Sequence, residues 1–501
     1  MTLTELFSIS SQFKLGNKPF CEISSITSDS RTAKAGDVFV AVRGRSHDGH
    51  RYLQDVCARN VAAVVVEDES AVPASFTGGV LKVANSRIAL GELAARFYGD
   101  PARSLFCVGV TGTNGKTSTA FLIEAILNDF GMKTGVIGTV DHHLADRVWP
   151  TNLTSPEPVT LQKRLREFRD LGAKALVMEV SSQALDQDRA VSIPFEVAVF
   201  TNLTRDHLDY HVTMANYFRA KERLFRPQAR TISGLQTEPA LKLAVINLDD
   251  EWGRKLELGQ GVRRCGYGET HCDFQFQILE MNFKGTRFRL VTRQGEIEVD
   301  SPLLGRHNVY NVVAAIAVGV RAGASLETCA LAVKKFNGVP GRLQPVPNTR
   351  GLHVLVDYAH TDDALREVLR ALQAIRERAQ LKSRILTVFG CGGDRDKGKR
   401  PLMAKAAIEN SDLVFVTSDN PRSEAPAEII RDILDGVPTE LMNSKVFVEV
   451  DRKECIGKAI KRAVAEDVVL IAGKGHETYQ IVGDRRVDMD DREIARSYLQ
   501  E

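Results

Sequence analysis

Residues 108–120 read VGVTGTNGKTSTA: an apolar run, glycines at 112 and 115, a lysine at 116, then hydroxyls at 117 and 118. The stretch lies between a strand-like run and a helix-like one, FLIEAILNDF. A turn in that setting offers backbone N–H groups and the positive end of a helix to phosphate oxygens, with the lysine reaching the terminal phosphates and the next hydroxyl available to Mg²⁺. Gly112, Thr113, Asn114, Gly115, Lys116, Thr117 and Ser118 are therefore candidate nucleotide-binding residues. Val110 stands where GxxxxGK[ST] has its first glycine. No NKxD-type base-specificity sequence follows a strand, so ATP is expected rather than GTP.

Other chemistry-bearing residues sit where strand-like runs end. ALVMEVSS closes an apolar run on Glu179, and a carboxylate there is costly unless paired or metal-bound, which makes it a candidate Mg²⁺ ligand. FTNLTRDHLDYH places Asp206, His207 and His211 after another run, where metal ligation and ordinary polar-loop roles are equally open. Arg422 in DNPR and Arg395 in GDRDKGKR each offer a guanidinium fork to a carboxylate, or simply charge two surface loops. GCGGDRDKG invites a dinucleotide reading with Asp419 as the ribose acid. That reading fails because Pro401, the expected first helical residue, comes eight positions after Gly393, too late for a glycine turn that opens a helix.

Elements that could carry these residues recur along all 501 positions, too many for one hydrophobic core. The pattern predicts an α/β protein of three domains. Residues 1–101 hold short strands (DVFVAV, AAVVVED, GVLKVAN) between helical stretches, ending where Gly99, Asp100 and Pro101 break a helix. Residues 102–339 alternate buried strands with helices, as in a parallel sheet, and CDFQFQILEMNFKGTRFRLVTRQGEIEV reads as an antiparallel insertion that makes the sheet mixed. After GVPGR, residues 340–501 restart the alternation as a Rossmann-like doubly wound unit. With 66 basic and 64 acidic residues the formal charge is +2, which supplies no field for nucleic acid. The N-terminus lacks a signal-peptide pattern, no run reaches 18 apolar residues, and the eight cysteines show no metal spacing. A cytoplasmic protein without membrane span or nucleic-acid partner is expected.

TGTNGKTS, MEVSSQALDQDR, FTNLTRDHLDYH, ANYFRAKERLF, GRHNVYNVVAAIA, DYAHTDDAL, FGCGGDRDKGKR, SDNPRSE and AGKGHETYQ, in this order over nearly the whole chain, resemble the Mur ligases, ATP-dependent amide-forming enzymes of peptidoglycan synthesis. The likeness is to the branch that adds the third stem residue to UDP-N-acetylmuramoyl-L-alanyl-D-glutamate. Folylpolyglutamate synthetases share the phosphate loop but are not expected to carry SDSRTAKAGDVFVAVRGRSHDGHRY, which looks like a uridine-binding domain. The resemblance implies that Ser28, Ser30, Arg45, Ser46 and His47 meet the uridine diphosphate, and that Thr154, Ser155, Ser181, Gln187 and Arg189 hold the sugar-peptide. It makes Lys221 a carbamylated lysine beside Mg²⁺, where a lysine in a charged helical stretch would otherwise read as solvated. Lys116, Glu179, His207 and Lys221 become the catalytic set, the last three with Thr117 being the metal set; Asn308, Arg342, Asp357 and His360 become further nucleotide contacts. DNPR looks like the version accepting meso-diaminopimelate: Asp419, Asn420, Pro421, Arg422 and Arg395 would meet that amino acid, with Arg422 on its distal carboxylate and Gly473 and Glu477 on its ammonium. Closure of the third domain on an acyl phosphate, and a monomeric state, complete the expectation. A lysine-adding ligase and a non-enzymatic ATP switch are the alternatives.

Overall fold

The computed structural model describes residues 1–8, 13, 14, 16, 21–44, 47–151, 153–226 and 240–500. Arg45 and Ser46 of the expected uridine-diphosphate set lie outside the described residues.

Short β-branched runs build the first sheet: β1 (Phe13–Lys14), β2 (Ile26–Thr27), β3 (Val38–Val40), β4 (Ala63–Val66) and β5 (Gly79–Lys82), in the order β1-β5-β4-β3-β2. β2 to β5 run parallel, and β1 pairs antiparallel with β5. Helix Ser86–Phe97 begins where the Asn85 side chain accepts from the N–H groups of Arg87 and Ile88. Its Ala89, Leu90 and Leu93 bury against Val38, Val40, Ala63, Val65 and Leu81.

Longer apolar runs form β6 (Phe106–Thr111), β7 (Thr134–Ile137), β8 (His142–Leu144), β9 (Arg147–Trp149), β10 (Ala175–Glu179), β11 (Val197–Phe200), β12 (Leu243–Asn247) and β13 (Arg263–Gly268). They lie in the order β13-β12-β11-β6-β10-β7-β8-β9. The six from β13 to β7 are parallel and buried on both faces, and β8 and β9 add an antiparallel edge. Register sets the chemistry: Val110 faces Glu179, Met178 faces Ile137 and Phe200 faces Thr111, so the segments after β6, β7, β10 and β11 leave from one edge. The alternating insertion becomes three strands, β14 (Phe274–Asn282), β15 (Gly285–Thr292) and β16 (Gly295–Ser301).

Two compact units make up the chain. The first comprises 1–275 with 292–294 and 313–329; the second comprises 276–291, 295–312 and 330–501. In the second, β17 (Gln344–Val346), β18 (His353–Asp357), β19 (Ile385–Cys391), β20 (Leu413–Ser418), β21 (Val446–Val448) and β22 (Val468–Ala472) take the order β17-β18-β22-β19-β20-β21, parallel except for β17. β23 (Tyr479–Val482) and β24 (Arg485–Asp488) form an antiparallel hairpin. Helix Asp362–Arg378, started by the Thr361 hydroxyl on Ala364 N–H, buries one face through Leu365, Leu369, Leu372 and Ile375. The helix expected to begin at Pro401 instead runs Lys399–Asn410. It still opens six positions after Gly393, so the dinucleotide reading stays excluded.

Candidate active site

The turn after β6 is built so tightly that its chemistry follows from its packing. Gly112 has φ +149°, and a Cβ there would lie 1.9 Å from Thr201 Oγ1, so only glycine passes. The segment after β11 holds the turn from below: Thr113 N–H donates to Asn202 O (2.9 Å), Asn114 N–H to Asn202 Oδ1 (2.9 Å) and Thr201 Oγ1 to Asn114 O (2.6 Å). Helix Lys116–Asp129 then starts at Gly115 with no side-chain cap, which leaves its first N–H groups for an anion. Ser118 is partly buried in its first turn. Lys116 Nζ donates to Gly112 O (3.0 Å) and Thr113 O (2.8 Å), folded over the loop it would share with a phosphate.

Glu179, fully buried at the end of β10, is satisfied by hydroxyls and an amide. Its Oε2 accepts from Thr117 Oγ1 (3.0 Å) and Thr139 Oγ1 (3.0 Å), and its Oε1 from Thr139 N–H (2.8 Å). A Cβ on Gly138 would lie 2.4 Å from Glu179 Oε1, so this glycine makes the room. Thr117 and Glu179 supply hard oxygen donors side by side, a set that suits Mg²⁺ together with phosphate oxygens and water. Among the described residues, no three His, Cys, Asp or Glu side chains form a metal-binding group on their own.

Lys221 is 1% exposed, on helix Met214–Glu222. Its Nζ donates to Gly112 O (2.7 Å) and lies 4.7 Å from the centre of the Tyr217 ring. Burial, and then the Lys116 charge, push its amine well below the usual lysine range. His207, at φ +51°, is likewise lowered by burial and by Lys116 and Lys221 against the opposing pull of Asp206, whose Oδ2 lies 3.4 Å from His207 Nε2. His211 turns away: its Nε2 pairs with Ser182 Oγ (2.9 Å), and its ring stacks on Tyr217.

The expected sugar-peptide residues share one network continuing from Glu179. Thr139 Oγ1 meets Thr154 Oγ1 (3.1 Å), Ser155 Oγ donates to Glu179 O (2.8 Å), and Ser181 N–H donates to Ser155 Oγ (3.0 Å). Arg189 donates to Gln187 Oε1 (2.6 Å from NH2) and Ser155 O (3.1 Å), and Arg87 NH1 reaches Gln187 O (3.5 Å). In the first sheet, Ser28 and Ser30 follow β2, and His47 closes a turn after β3 by accepting from Gly44 N–H (2.7 Å).

In the second unit, Asp357↔Ala472 and Cys391↔Ser418 align the carboxyl ends of β18, β22, β19 and β20. Asp357 is buried, its carboxyl raised by burial against Arg342, and it accepts from Leu343 N–H (2.7 Å) and Ala359 N–H (2.8 Å). Arg342 lies over the Tyr358 ring (4.9 Å), and His360 is exposed after the strand. Asn308, in the first turn of helix Arg306–Ala322, donates to Leu304 O (2.9 Å) just before that helix and accepts from Asn311 Nδ2 (3.0 Å) within it.

Pro421 carries the chain into Arg422, which takes φ +51°, bonded through its backbone to Ile481 O (3.0 Å) and Gly483 N–H (2.8 Å) of the hairpin. Its NH1 donates to Gly393 O (2.7 Å), two residues before the exposed Arg395. Asp419 and Asn420 are buried; Asn420 Nδ2 donates to Glu477 Oε2 (3.0 Å). Gly473, at φ +117°, donates its N–H to Asp357 O (3.0 Å), tying the segment after β22 to β18. Sequence reasoning missed Thr139, Tyr217 and Lys474. Thr139 follows β7 at the ligand edge, so the strand-end rule would have found it; Tyr217 and Lys474 stood inside quoted motifs without any spacing signal.

Family models match residues 22–98 (Mur ligase family, catalytic domain), 110–319 (Mur ligase middle domain) and 341–475 (Mur ligase, glutamate ligase domain). The chain is similar to the UDP-N-acetylmuramoyl-L-alanyl-D-glutamate–2,6-diaminopimelate ligase of Geobacter metallireducens, 42% identical over 100% of this chain and 99% of the relative. The ligase of that name from Geobacillus kaustophilus is also 42% identical, over 96% and 95%. A solved structure of a UDP-N-acetylmuramoyl-L-alanyl-D-glutamate–2,6-diaminopimelate ligase superposes with TM-score 0.72 at 32% identity, over 100% of this chain and 99% of the other.

Proposed function

The chain belongs to the Mur ligase family, and we propose that it joins meso-2,6-diaminopimelate to UDP-N-acetylmuramoyl-L-alanyl-D-glutamate at the expense of ATP; the names of its full-length relatives make them ligases of UDP-N-acetylmuramoyl-L-alanyl-D-glutamate and 2,6-diaminopimelate. We assign residues 1–101 to the uridine end, 102–339 to ATP and 340–501 to the amino acid. The observation that carries the choice of amino acid is Arg422, whose backbone is held by the hairpin and whose guanidinium donates to Gly393 O, on the segment whose Asn420 bonds Glu477. A fork for a carboxylate and a carboxylate for an ammonium suit a distal end bearing both groups, and lysine lacks the first.

In this reading the D-glutamyl side-chain carboxylate attacks the γ-phosphorus and ADP leaves, which gives an acyl phosphate. The diaminopimelate amine then attacks the acyl carbon, phosphate leaves and the amine loses its proton. The loop amides from 112 to 117 and the helix N-terminus bind the phosphates, and Lys116 leaves its two carbonyl acceptors for the transferring group, so catalysis is positioning and charge stabilisation. Mg²⁺ on Thr117 and Glu179 would neutralise phosphate charge, and a carbamylated Lys221 would present a carboxylate-like group there in place of a cation. Ser28, Ser30 and His47 take the uridine end, while Thr154, Ser155, Ser181, Gln187 and Arg189 take the sugar-peptide. Soluble substrates fit a cytoplasmic enzyme, and among the described residues no helix is long and apolar enough to cross a membrane.

Purified protein supplied with ATP, UDP-muramyl dipeptide and labelled diaminopimelate should give a labelled tripeptide with stoichiometric phosphate. Label incorporated equally from lysine refutes the choice of amino acid; ATP turnover without the dipeptide, and no product, refutes the ligase.

A further inference from the structure

The segments after β20 and β22 enclose a charge that the proposed reaction does not use. Lys474 is fully buried. Its Nζ donates to Asn420 Oδ1 (3.0 Å) and Glu477 Oε2 (3.0 Å) and lies 5.6 Å from the centre of the Tyr479 ring. Asn420 Nδ2 donates to the same Glu477 oxygen (3.0 Å), and Asn420 Oδ1 also accepts from Ile481 N–H (2.9 Å). Two donors therefore fix Glu477 Oε2, whereas Oε1 has no hydrogen-bond partner among the described residues.

We propose that Lys474 is a positioning residue for amino-acid selection: by bridging Glu477 and Asn420 it fixes the carboxylate so that Oε1 is left to take the distal ammonium of the incoming diamino acid. The inference rests on the assignment of Glu477 to that ammonium. Desolvating an ammonium is costly, and a buried ion pair often contributes no more to stability than apolar side chains of similar volume. A lysine kept here for stability alone would, in Lys474→Met, lower the stability of the fold but leave the KM for diaminopimelate of the folded enzyme unchanged. A lysine that acts through Glu477 would raise the KM for diaminopimelate on replacement, because the freed carboxylate would rotate.

The test is steady-state kinetics of the full chain for Lys474→Met, Glu477→Gln and the double variant, with diaminopimelate, ATP and UDP-muramyl dipeptide each varied. Lys474→Met should raise the KM for diaminopimelate by about tenfold or more and leave that for ATP within about twofold. Because both act through one carboxylate, the double variant should be no worse than Glu477→Gln alone. An unchanged diaminopimelate KM in Lys474→Met, or losses that multiply in the double variant, overturns the proposal. If Glu477→Gln itself leaves that KM unchanged, the assignment of the amino-acid site falls, and the proposal with it. Should Lys474→Met fail to fold, Lys474→Gln decides on the same terms: a smaller rise in that KM supports the proposal, and no rise overturns it.

Discussion

His143, buried on β8, is clamped between two carboxylates: Nδ1 meets Asp141 Oδ1 at 2.6 Å and Nε2 meets Glu124 Oε2 at 3.0 Å. Burial alone would lower its pKa; the two hydrogen bonds and the charges of Glu124 and Asp141 outweigh it and raise the ring to about 9 from 6.5. Its neighbour His142, buried with neither nitrogen bonded, goes the other way to about 4, pushed by burial and then by Arg164. The clamp joins the phosphate-loop helix, which carries Glu124, to the turn closed by Gly138 N–H on Asp141 O, which carries Thr139 to Glu179. At about 1.4 kcal/mol per pKa unit, the rise from 6.5 to about 9 corresponds to roughly 3 kcal/mol. The folded state holds the proton more tightly than the unfolded one, so this stability is complete below pH 6.5 and is lost as pH climbs through 9. His143→Gln removes the charge that both carboxylates share. The difference in unfolding free energy between wild type and His143→Gln should be largest near pH 6 and shrink steadily toward pH 9.5, and an NMR titration should place the ring well above its ordinary value. A stability difference that does not change across that range, or a ring titrating near 6.5, refutes the reasoning.

Gly112→Ala forces a Cβ to within 1.9 Å of Thr201 Oγ1, so nucleotide binding measured by calorimetry should fall at least about tenfold; wild-type affinity would show that the turn relaxes freely. Lys221, an amine held well below the usual lysine range, should give a carbamate signal from ¹³C-bicarbonate at neutral pH that is absent in Lys221→Arg, and activity should fall on removal of CO₂. Arg422→Ala should raise the KM for diaminopimelate by about tenfold or more while sparing ATP; equal losses for both would remove the residue from the amino-acid site.

What could be read from the chain followed what leaves a local signature. The Gly-Lys-Thr turn, the apolar strands and the rule that ligands meet carboxyl strand ends together placed Glu179, Asp357 and the DNPR segment, since each is a property of a few neighbouring residues. Lys221 shows the limit: by composition it belongs to a charged helix surface, and only the packing of Tyr217 and Gly112 around it makes it 1% exposed. Thr139 and Lys474 were equally silent, because their roles depend on partners 40 and 54 positions away. The start of helix Lys399–Asn410 two residues before Pro401 has the same origin: Arg400, fully buried, bonds Glu424 and Asp432, and that tertiary contact extends the helix beyond the position the proline suggests.

The two lysines at the phosphate turn connect structure to chemistry most directly. Lys116 and Lys221 both donate to the single carbonyl oxygen of Gly112, and two ammonium groups converging on one acceptor repel strongly where water is excluded. Lys116 is partly exposed, whereas Lys221 is wholly desolvated, so burial and then the repulsion from Lys116 favour the neutral amine of Lys221. A neutral amine is the form that adds CO₂, and the resulting anion would turn repulsion of Lys116 into attraction and supply an oxygen donor at the phosphate turn. Lys221→Met, which removes the amine but keeps an apolar stem, should therefore leave the enzyme slow, because the anionic donor is missing. If Lys221→Met retains wild-type turnover, the lysine pair plays no part in phosphoryl transfer and the electrostatic argument for the turn fails.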